Sequence, residues 1–388
     1  MKQILILFII SSYACIGFTQ PFMVQPIEGI QGKDYIIVNY VDWRQTGIMD
    51  AYCGTKTYDG HQGTDYSLRS FKQMDSVVNI LAAADGVVTF IKDGLFDRET
   101  EGKVSKGLGN YIAIRHPNKY YSYYGHLMRE SLAVKVGDTV KQGEIIAAVG
   151  SSGNSTDAHL HFEVWYDSLY VVDPFNGSCG NANTVFLNSS EYDTSLHIWD
   201  YGMQNSLVDL NALRERVETI SSPYVFQPTA TTPVLFWSHL SGLKKNDELT
   251  IKWISPSQTV WFQYSVTFDQ DWWYYYYFSY INNTNLAKGS WKAILELNGK
   301  PIVTQPFLVD DNAAVPQINL LPKTCNVANI KQLLRRKDLF MCKLTSINGQ
   351  TITINNDAFE MQLIIPGVYF LEAEFENEKR CYQKIIVD

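Results

Sequence analysis

The sequence contains no lysine or arginine run long enough to reverse its acidic balance, because its 32 basic residues are outnumbered by 40 acidic residues, which leaves a formal net charge of −8. Binding to the phosphates of nucleic acid needs a basic surface, so we expect no nucleic-acid partner. Charged residues make up only 19% of the chain, whereas hydrophobic residues reach 46%. This balance is typical of a globular protein and not of a disordered one.

Long apolar segments are also missing, apart from one at the N-terminus. Residues 4–18 form a short apolar run that follows Lys2 and precedes Thr19 and Gln20. Such a run is short for a transmembrane helix and is typical of a secretory signal peptide cleaved near Thr19 or Gln20. We therefore expect residues 1–20 to be removed and the protein to be secreted without a transmembrane segment.

Cysteine is scarce, with six residues in the chain, of which Cys15 lies in the predicted signal peptide. An oxidising compartment favours disulfides, but five remaining cysteines are an odd number, so at least one stays free or pairs outside the chain. Cys53 and Cys179 bracket a histidine-rich region, and we predict that they form a disulfide. The other three are Cys325, Cys342 and Cys381.

Histidine is rare but concentrated. Five of the seven histidines lie within about 100 residues of one another: His61, His116, His126, His159 and His161. His159 and His161 alternate with apolar residues, so a β-strand would present both imidazoles on one face. Such a pair indicates a metal site, although a solvated or hydrogen-bonded pair is the commoner outcome. His116 lies beside a predicted turn and is expected at the surface.

Two further segments supply candidate site residues. His61 and Asp65 are four residues apart among glycines that disfavour a helix, so we predict that they lie on a loop that enters a strand. A histidine nitrogen and an aspartate oxygen are both ligands of zinc. The predicted strand at residues 120–124 leads directly to His126.

These motifs resemble those of the lysostaphin/LytM-type zinc endopeptidases of peptidoglycan, the M23 metallopeptidases. The motifs occur in family order as Gly60–His61–x–x–x–Asp65, Tyr124–x–His126–Leu127, Val-x-x-Gly-Asp-x-Val-x-x-Gly at 134–143, and Gly150–x–Ser152–Gly153–x–Ser155–Thr156–x–x–His159–Leu160–His161–Phe162–Glu163. The resemblance covers about residues 26–175. It implies an antiparallel β peptidase domain in which His61, Asp65 and His161 bind one zinc ion, while His126 and His159 are catalytic histidines that do not bind it.

The chemistry of these residues agrees with that division. Two imidazoles and one carboxylate leave a fourth position open, as in catalytic zinc sites, where zinc lowers the pKa of a water ligand to about 7. His159 is the expected general base and His126 the expected oxyanion or leaving-group partner, although the sequence leaves these roles exchangeable. Asp59 and Glu163 are candidates for hydrogen bonds to the ligating imidazoles.

The whole chain is predicted to be mainly β, with several domains. After a peptidase domain at 21–180, we predict a linker with a short helix at 181–224, an immunoglobulin-like β-sandwich at 225–310 and a small C-terminal β domain at 320–388. The aromatic run Trp272–Phe278 is predicted to be a strand buried on one face and half covered on the other. A surface that stacks on glycan strands is the alternative.

The end of the chain, over residues 338–388, resembles the C-terminal sorting domains of cargo for the type IX secretion system of Bacteroidota. The resemblance rests on the segments at 347–350, 365–371 and 384–387. It implies a Gram-negative source, a location in the periplasm, at the cell surface or outside the cell, and the type IX machinery as a partner. The alternative is a small β domain that packs on the rest of the protein.

The sequence therefore predicts a secreted zinc metalloendopeptidase that hydrolyses the peptide cross-links of bacterial peptidoglycan. The alternative is a non-catalytic wall-binding or amidase-regulating protein of the same fold, because a fold does not guarantee an activity. All five predicted metal-binding and catalytic residues are present, which favours the enzyme.

Overall fold

The computed structural model describes residues 21–311, except for gaps at 45–46, 103–106, 181–182, 189–190, 217–223, 229–231 and 283–285. Beyond residue 311 it describes the backbone of four strands. The predicted signal peptide at 1–20, Cys325 and, of the segments that carry the sorting-domain resemblance, residues 347–350 and 365–366 lie outside the described residues.

The first part of the chain is built almost entirely from short strands. The strands are β1 (Ile36–Asn39), β2 (Thr64–Ser67), β3 (Asn79–Leu81), β4 (Gly86–Lys92), β5 (Tyr111–Arg115), β6 (Tyr120–Gly125), β7 (Thr139–Val140), β8 (Ile145–Ala148), β9 (His159–Tyr166) and β10 (Tyr170–Val172), and the helix is α1 (Phe71–Asp75). The helix begins at Ser70, whose hydroxyl accepts a hydrogen bond from the backbone N–H of Gln73.

One antiparallel sheet carries most of these strands in the order β1-β2-β9-β6-β5-β4-β7, and β10 also pairs with β9. Leu160, Phe162 and Val164 of β9 are fully buried in an apolar core. Because alternate residues of a strand share a face, His159 and His161 lie together on the opposite face of the sheet. The predicted strand alternation is therefore confirmed.

The second part of the chain forms two sheets that pack face to face. Its elements are β11 (His197–Gln204), α2 (Leu210–Glu215), β12 (Val225–Phe226), β13 (Val234–Ser241), β14 (Glu248–Ile254), β15 (Val260–Thr267), β16 (Tyr275–Ile281), β17 (Gly289–Leu297) and β18 (Lys300–Val309). The sheet β11-β13-β16 shares one core with the sheet β12-β18-β17-β14-β15, which includes Phe236 from the former and Trp253 from the latter. The immunoglobulin-like assignment of these sheets stays a prediction.

The segment 181–224 contains more regular structure than the linker predicted there. It contains the expected helix, α2, but also β11, which pairs along its length with β13. Trp199 and Met203 of β11 are buried, whereas Ile198 and Tyr201 are exposed. Trp199, Tyr201 and Met203 alternate with Asp200, Gly202 and Gln204, so the sequence carried a strand pattern that the linker prediction passed over.

The aromatic run Trp272–Phe278 leads into β16, and its side chains pack on both faces of that strand. Tyr275 and Tyr277 pack in the core between the two sheets. Tyr276 and Phe278 pack on the other side, in a cluster with Leu213 of α2. The described structure leaves no residue of the run exposed. This arrangement favours the predicted buried strand over a glycan-stacking surface.

The end of the chain forms one antiparallel sheet. Its strands are β19 (Leu339–Ser346), β20 (Thr351–Asn355), β21 (Gly367–Phe375) and β22 (Arg380–Val387), in the order β20-β19-β21-β22. They lie within the predicted C-terminal β domain, whose role stays a prediction. The chain is thus mainly β with antiparallel sheets, as expected, and neither helix in its described part is long and apolar enough to span a bilayer.

Cys53 and Cys179 form a disulfide, which confirms the predicted pair. The bond joins residues 126 positions apart in the chain. It ties the loop that precedes His61 to the segment that follows β10 and therefore braces one side of the first sheet.

Replacing Cys53 and Cys179 together with serine is expected to lower the unfolding temperature, because the cross-link restricts the unfolded chain by a typical free energy of about 2–5 kcal/mol. Calorimetry of the double variant measures this change. Ser178→Ala, at an exposed neighbouring position, is the control. Equal unfolding temperatures for the double variant and the wild type would contradict a stabilising role.

Candidate metal centre

Strand pairing brings the predicted site residues together. Strand β9 lies between β2 and β6. Asp65 of β2 lies opposite His161 of β9, and Gly125 at the end of β6 lies opposite the same histidine. His126 follows Gly125 directly, and His61 lies in the loop that enters β2. Residues distant in sequence therefore converge at one end of three neighbouring strands.

His61, Asp65 and His161 form a candidate metal centre. All three are buried, and one potential ligand atom from each lies within 4.8 Å of the others. Asp65 Oδ1 is 3.2 Å from His61 Nε2 and 2.8 Å from His161 Nδ1, and these two nitrogens are 3.2 Å apart. Tetrahedral zinc with bonds of about 2.0–2.1 Å has ligand atoms about 3.3 Å apart. The donor set and its spacing therefore fit zinc.

A hydrogen bond on the far side of each ligating ring sets which nitrogen faces the centre. His61 Nδ1 donates to the Tyr40 carbonyl at 2.7 Å, and His161 Nε2 donates to Glu163 Oε1 at 2.9 Å. Both oxygens can only accept hydrogen bonds, so these nitrogens carry protons. His61 Nε2 and His161 Nδ1 are therefore the ring nitrogens that face Asp65, as metal binding requires.

His126 and His159 are oriented in the same way. His126 Nδ1 donates to the Ser152 carbonyl at 2.7 Å, and His159 Nδ1 donates to the Asp157 carbonyl at 2.8 Å. The two ring centroids are 4.6 Å apart, and His159 Nε2 is 3.7 Å from Asp65 Oδ1. With Nδ1 as the donor, Nε2 of each ring is the nitrogen that can accept a proton next to the ligand cluster.

The backbone of His126 adopts an unusual conformation, with a φ of 60°. This left-handed region is uncommon for residues other than glycine, and such strain persists only where the surroundings enforce it. The N–H of His126 donates to the Leu108 carbonyl at 2.7 Å, and the N–H of Leu127 donates to the Asn110 carbonyl at 3.0 Å. These bonds hold the turn that points the imidazole at its neighbours.

Gly63 provides the space that His161 occupies. A Cβ atom at residue 63 would lie 2.8 Å from His161 Nε2 and 2.7 Å from the carbonyl oxygen of Phe162. Any side chain would therefore displace the ring or the strand. The glycine between His61 and Asp65 is required for close approach.

The charges of the cluster are coupled. Burial would raise the pKa of Asp65, but His61 and His161 offset it and hold this pKa well below its usual value. Burial would lower the pKa of His161, but hydrogen bonds to Asp65 and Glu163 raise it to about 10. Burial lowers the pKa of His126 well below its usual value, and the adjacent His159 and His161 lower it further. The centre therefore favours an anionic Asp65 and a cation beside it.

The five predicted residues lie in one cluster, but their assigned roles stay predictions. Glu163 forms the predicted hydrogen bond to His161. Asp59 is exposed, and the Tyr40 carbonyl is the partner of His61 instead, so the prediction for Asp59 is wrong.

The surface position predicted for His116 is also wrong. The residue is 3% exposed. Its Nδ1 bonds to the Asp85 carbonyl at 2.9 Å and its Nε2 to the Ser122 hydroxyl at 2.7 Å. Burial lowers its pKa, so it is a neutral structural histidine whose polar atoms are satisfied inside the fold.

Two side chains near the centre were not predicted. Asn39 Nδ2 donates to Asp65 Oδ2 at 2.9 Å, and Trp165 Nε1 donates to Glu163 Oε2 at 2.6 Å. Each fixes a carboxylate that faces a histidine. Asn39 is the polar last residue of the apolar strand β1, and this was the one feature of the sequence that could have indicated its role. Trp165 follows Glu163 at a spacing of two, which places both on one face of β9.

Comparison with known proteins matches residues 59–174 to a family described as Peptidase family M23. Peptidoglycan DD-endopeptidase ShyC of Vibrio cholerae is 36% identical over 110 residues, which are 28% of this chain and 21% of that protein. DD-carboxypeptidase/endopeptidase Mpg of Neisseria meningitidis is 36% identical over 107 residues, which are 28% of this chain and 20% of that protein. The chain therefore spans about a fifth of the length of these curated relatives.

The matched residues include the candidate metal centre and both flanking histidines. Among solved structures, the catalytic domain of lysostaphin from Staphylococcus simulans is 25% identical, with coverage of 35% of this chain and 85% of that chain and a TM-score of 0.24. The family match ends before β11.

Glu163→Gln is expected to weaken zinc binding by about 10-fold or more, because the substitution removes the charge that accepts the hydrogen bond from His161. Competition with a zinc-binding dye measures the affinity. Asp59→Asn removes the same charge from an exposed position close to His61 and serves as the control. Equal losses in the two variants would contradict a specific role for Glu163.

Proposed function

We propose that this chain, whose residues 59–174 match Peptidase family M23, is a zinc metalloendopeptidase that hydrolyses the peptide cross-links of bacterial peptidoglycan. One observation carries the proposal: three buried ligand atoms lie within 4.8 Å of one another beside two further imidazoles. The names of the relatives, a peptidoglycan DD-endopeptidase and a DD-carboxypeptidase/endopeptidase, support the substrate class.

His61, Asp65 and His161 would hold the zinc ion. When bound, zinc supplies Lewis acidity that polarises a carbonyl and acidifies a water molecule. Two imidazoles and one carboxylate leave the site with a net charge of about +1, which suits stabilisation of negative charge. Their burial keeps bulk water away and strengthens these interactions.

His159 and His126 would carry the proton transfers. In amide hydrolysis, the water oxygen bonds to the carbonyl carbon, the C–N bond breaks, and the proton of the water passes to the leaving amine. His159 Nε2 is 3.7 Å from Asp65 Oδ1, which supports His159 as the base that first takes this proton. The same proton would then pass from His159 to His126, whose ring centroid is 4.6 Å away, and His126 would donate it to the oxyanion or the amine. The geometry also permits the exchanged assignment.

His159→Ala and His126→Ala are each expected to lower the rate of cross-link hydrolysis by at least about 100-fold with zinc content unchanged, because they remove proton transfer and not ligands. His161→Ala is expected to lose both zinc and activity. The measurements are metal analysis and chromatography of the muropeptides released from purified sacculi. A chelator should abolish hydrolysis by the wild type, and zinc should restore it.

His197→Ala, a histidine substitution outside the candidate site, is the control for this series. If the wild type binds zinc but releases no new amine and carboxyl termini from sacculi, the enzyme proposal fails and a non-catalytic wall-binding or amidase-regulating role is favoured. If His159→Ala remains fully active, the proposed base is wrong.

Export is the second part of the proposal. Residues 1–20 would direct secretion, and residues 320–388 would act as a sorting domain for the type IX machinery of a Gram-negative bacterium. The sequence resemblance over 338–388 supports this proposal, and the pairing of β19 to β22 in a single sheet is compatible with a separate module. The protein would then act in the periplasm, at the cell surface or outside the cell.

Mass spectrometry of the protein recovered from the producing cells tests export. We expect a mature N-terminus near Gln20 and loss of residues 340–388 after transport, because a sorting domain is removed once it has been used. An intact protein in the medium that still carries residues 340–388 would count against the sorting role. Retention of residues 1–20 would contradict the signal peptide.

A further inference from the structure

The loop that enters β9 is attached to the second part of the chain through one carboxylate. Asp157 Oδ1 accepts hydrogen bonds from Arg214 Nε and from the Tyr274 hydroxyl, both at 2.7 Å. The side chain of Asp157 is 12% exposed, so both bonds are largely shielded from water. Hydrogen bonds to a carboxylate are stronger than those between neutral groups. Asp157 therefore has firm partners in α2 and in the segment before β16.

The backbone of the same residue holds His159. The Asp157 carbonyl accepts hydrogen bonds from His159 Nδ1 at 2.8 Å and from the Ser155 hydroxyl at 2.9 Å. Only the Cα atom and two side-chain torsions separate this carbonyl from the carboxylate. Fixing the carboxylate therefore restricts the carbonyl that sets the tautomer and direction of the His159 ring.

We propose that Asp157 is a positioning residue through which Tyr274 and Arg214, from the second part of the chain, set the orientation of His159. The peptidase site then reaches its active geometry only when the two parts of the chain are docked. The expected effect on rate depends on the proposed peptidase function, but the effect on the His159 ring does not.

The helix that carries Arg214, α2, is attached to the first part of the chain through Glu215. Glu215 of the same short helix pairs with Arg98, which also pairs with Asp75 of α1 at 2.6 Å. The side chain of Arg98 is 14% exposed. The guanidinium that reaches Asp157 therefore belongs to a helix that is fixed on the peptidase side.

Tyr274 is anchored by apolar packing. It lies in a cluster with Ile36 and Val38 of β1 and Trp199 of β11. Burial and the neighbouring Asp157 raise the pKa of Tyr274 well above its usual value, so the hydroxyl keeps its proton and remains a donor. The Tyr274 hydroxyl is therefore held in place as the donor to Asp157.

The residue before Tyr274 strengthens the same contact. Trp273 Nε1 donates to the Thr55 carbonyl at 3.0 Å. The centroid of its ring is 5.0 Å from Lys56 Nζ of the first part and 3.8 Å from Lys244 Nζ of the second part. The aromatic segment therefore contacts both the loop that leads to His61 and the loop that leads to His159.

Tyr274→Phe tests the proposal in the full-length zinc-loaded protein, because it removes one donor and keeps the ring. We expect kcat to fall about 10-fold, since small displacements of a catalytic group are costly, with KM within about twofold and zinc content unchanged. Tyr275→Phe is the matched control. It removes a hydroxyl from the adjacent residue, whose ring packs on Phe268 and Trp272 within the second part.

Nitrogen NMR of the imidazoles supplies a readout that does not depend on activity. In zinc-free protein with ¹⁵N-labelled histidine, the signals of His159 can be assigned with His159→Gln. We expect the wild type and Tyr275→Phe to show the Nδ1–H tautomer of His159, and Tyr274→Phe to show a mixture of tautomers. Asp157→Asn, which keeps an acceptor oxygen, should retain more of the wild-type signal and rate than Asp157→Ala.

Three results would overturn the positioning role. They are unchanged kcat and unchanged His159 signals in Tyr274→Phe, equal losses in Tyr274→Phe and Tyr275→Phe, or a loss that is entirely in zinc content. If the wild type itself hydrolyses nothing, the peptidase proposal fails, and the NMR comparison still decides whether Tyr274 and Asp157 orient His159.

Discussion

The antiparallel register of β9 between β2 and β6 decides where the side chains of the site lie. Asp65 and Gly125 lie opposite His161 on its two sides. A slip by one residue in either ladder would exchange the two faces of β9 and turn its histidines into the core. Leu160 and Phe162 oppose such a slip because both are fully buried on the other face. Burial of apolar residues on one face of β9 therefore fixes the positions of the two histidines on its other face.

Acceptor oxygens orient the imidazole rings that the strand register brings together. Each histidine of the cluster donates from one ring nitrogen to an oxygen that cannot donate, namely three backbone carbonyls and one carboxylate. Strands determine where the rings are, whereas loops determine which nitrogen faces the centre. One of these loops is bonded to the second part of the chain. The geometry therefore depends on the sheet and on the packing of a neighbouring unit.

The period of a strand predicted that His159 and His161 share a face, whereas the cluster with His61, Asp65 and His126 was predicted from the resemblance of short motifs to a known family. It could not predict the Tyr40 carbonyl, since a backbone acceptor is independent of the side chain that follows it. Asn39 was also missed, because its partner Asp65 is 26 positions away and only the pairing of β1 with β2 brings them together. The predictable features were local, and the missed ones depended on tertiary contacts.

The segment that can be recognised by similarity is smaller than the segment that folds together. The family match stops at residue 174, yet Val185 and Phe186 are buried in the first core, and Trp199 and Tyr274 cover Ile36 and Val38. A fragment cut where the similarity ends would expose these apolar surfaces to water and lose half of its only described disulfide. A fragment whose ends are chosen by homology alone would therefore lack packing and a cross-link that this region has in the whole chain.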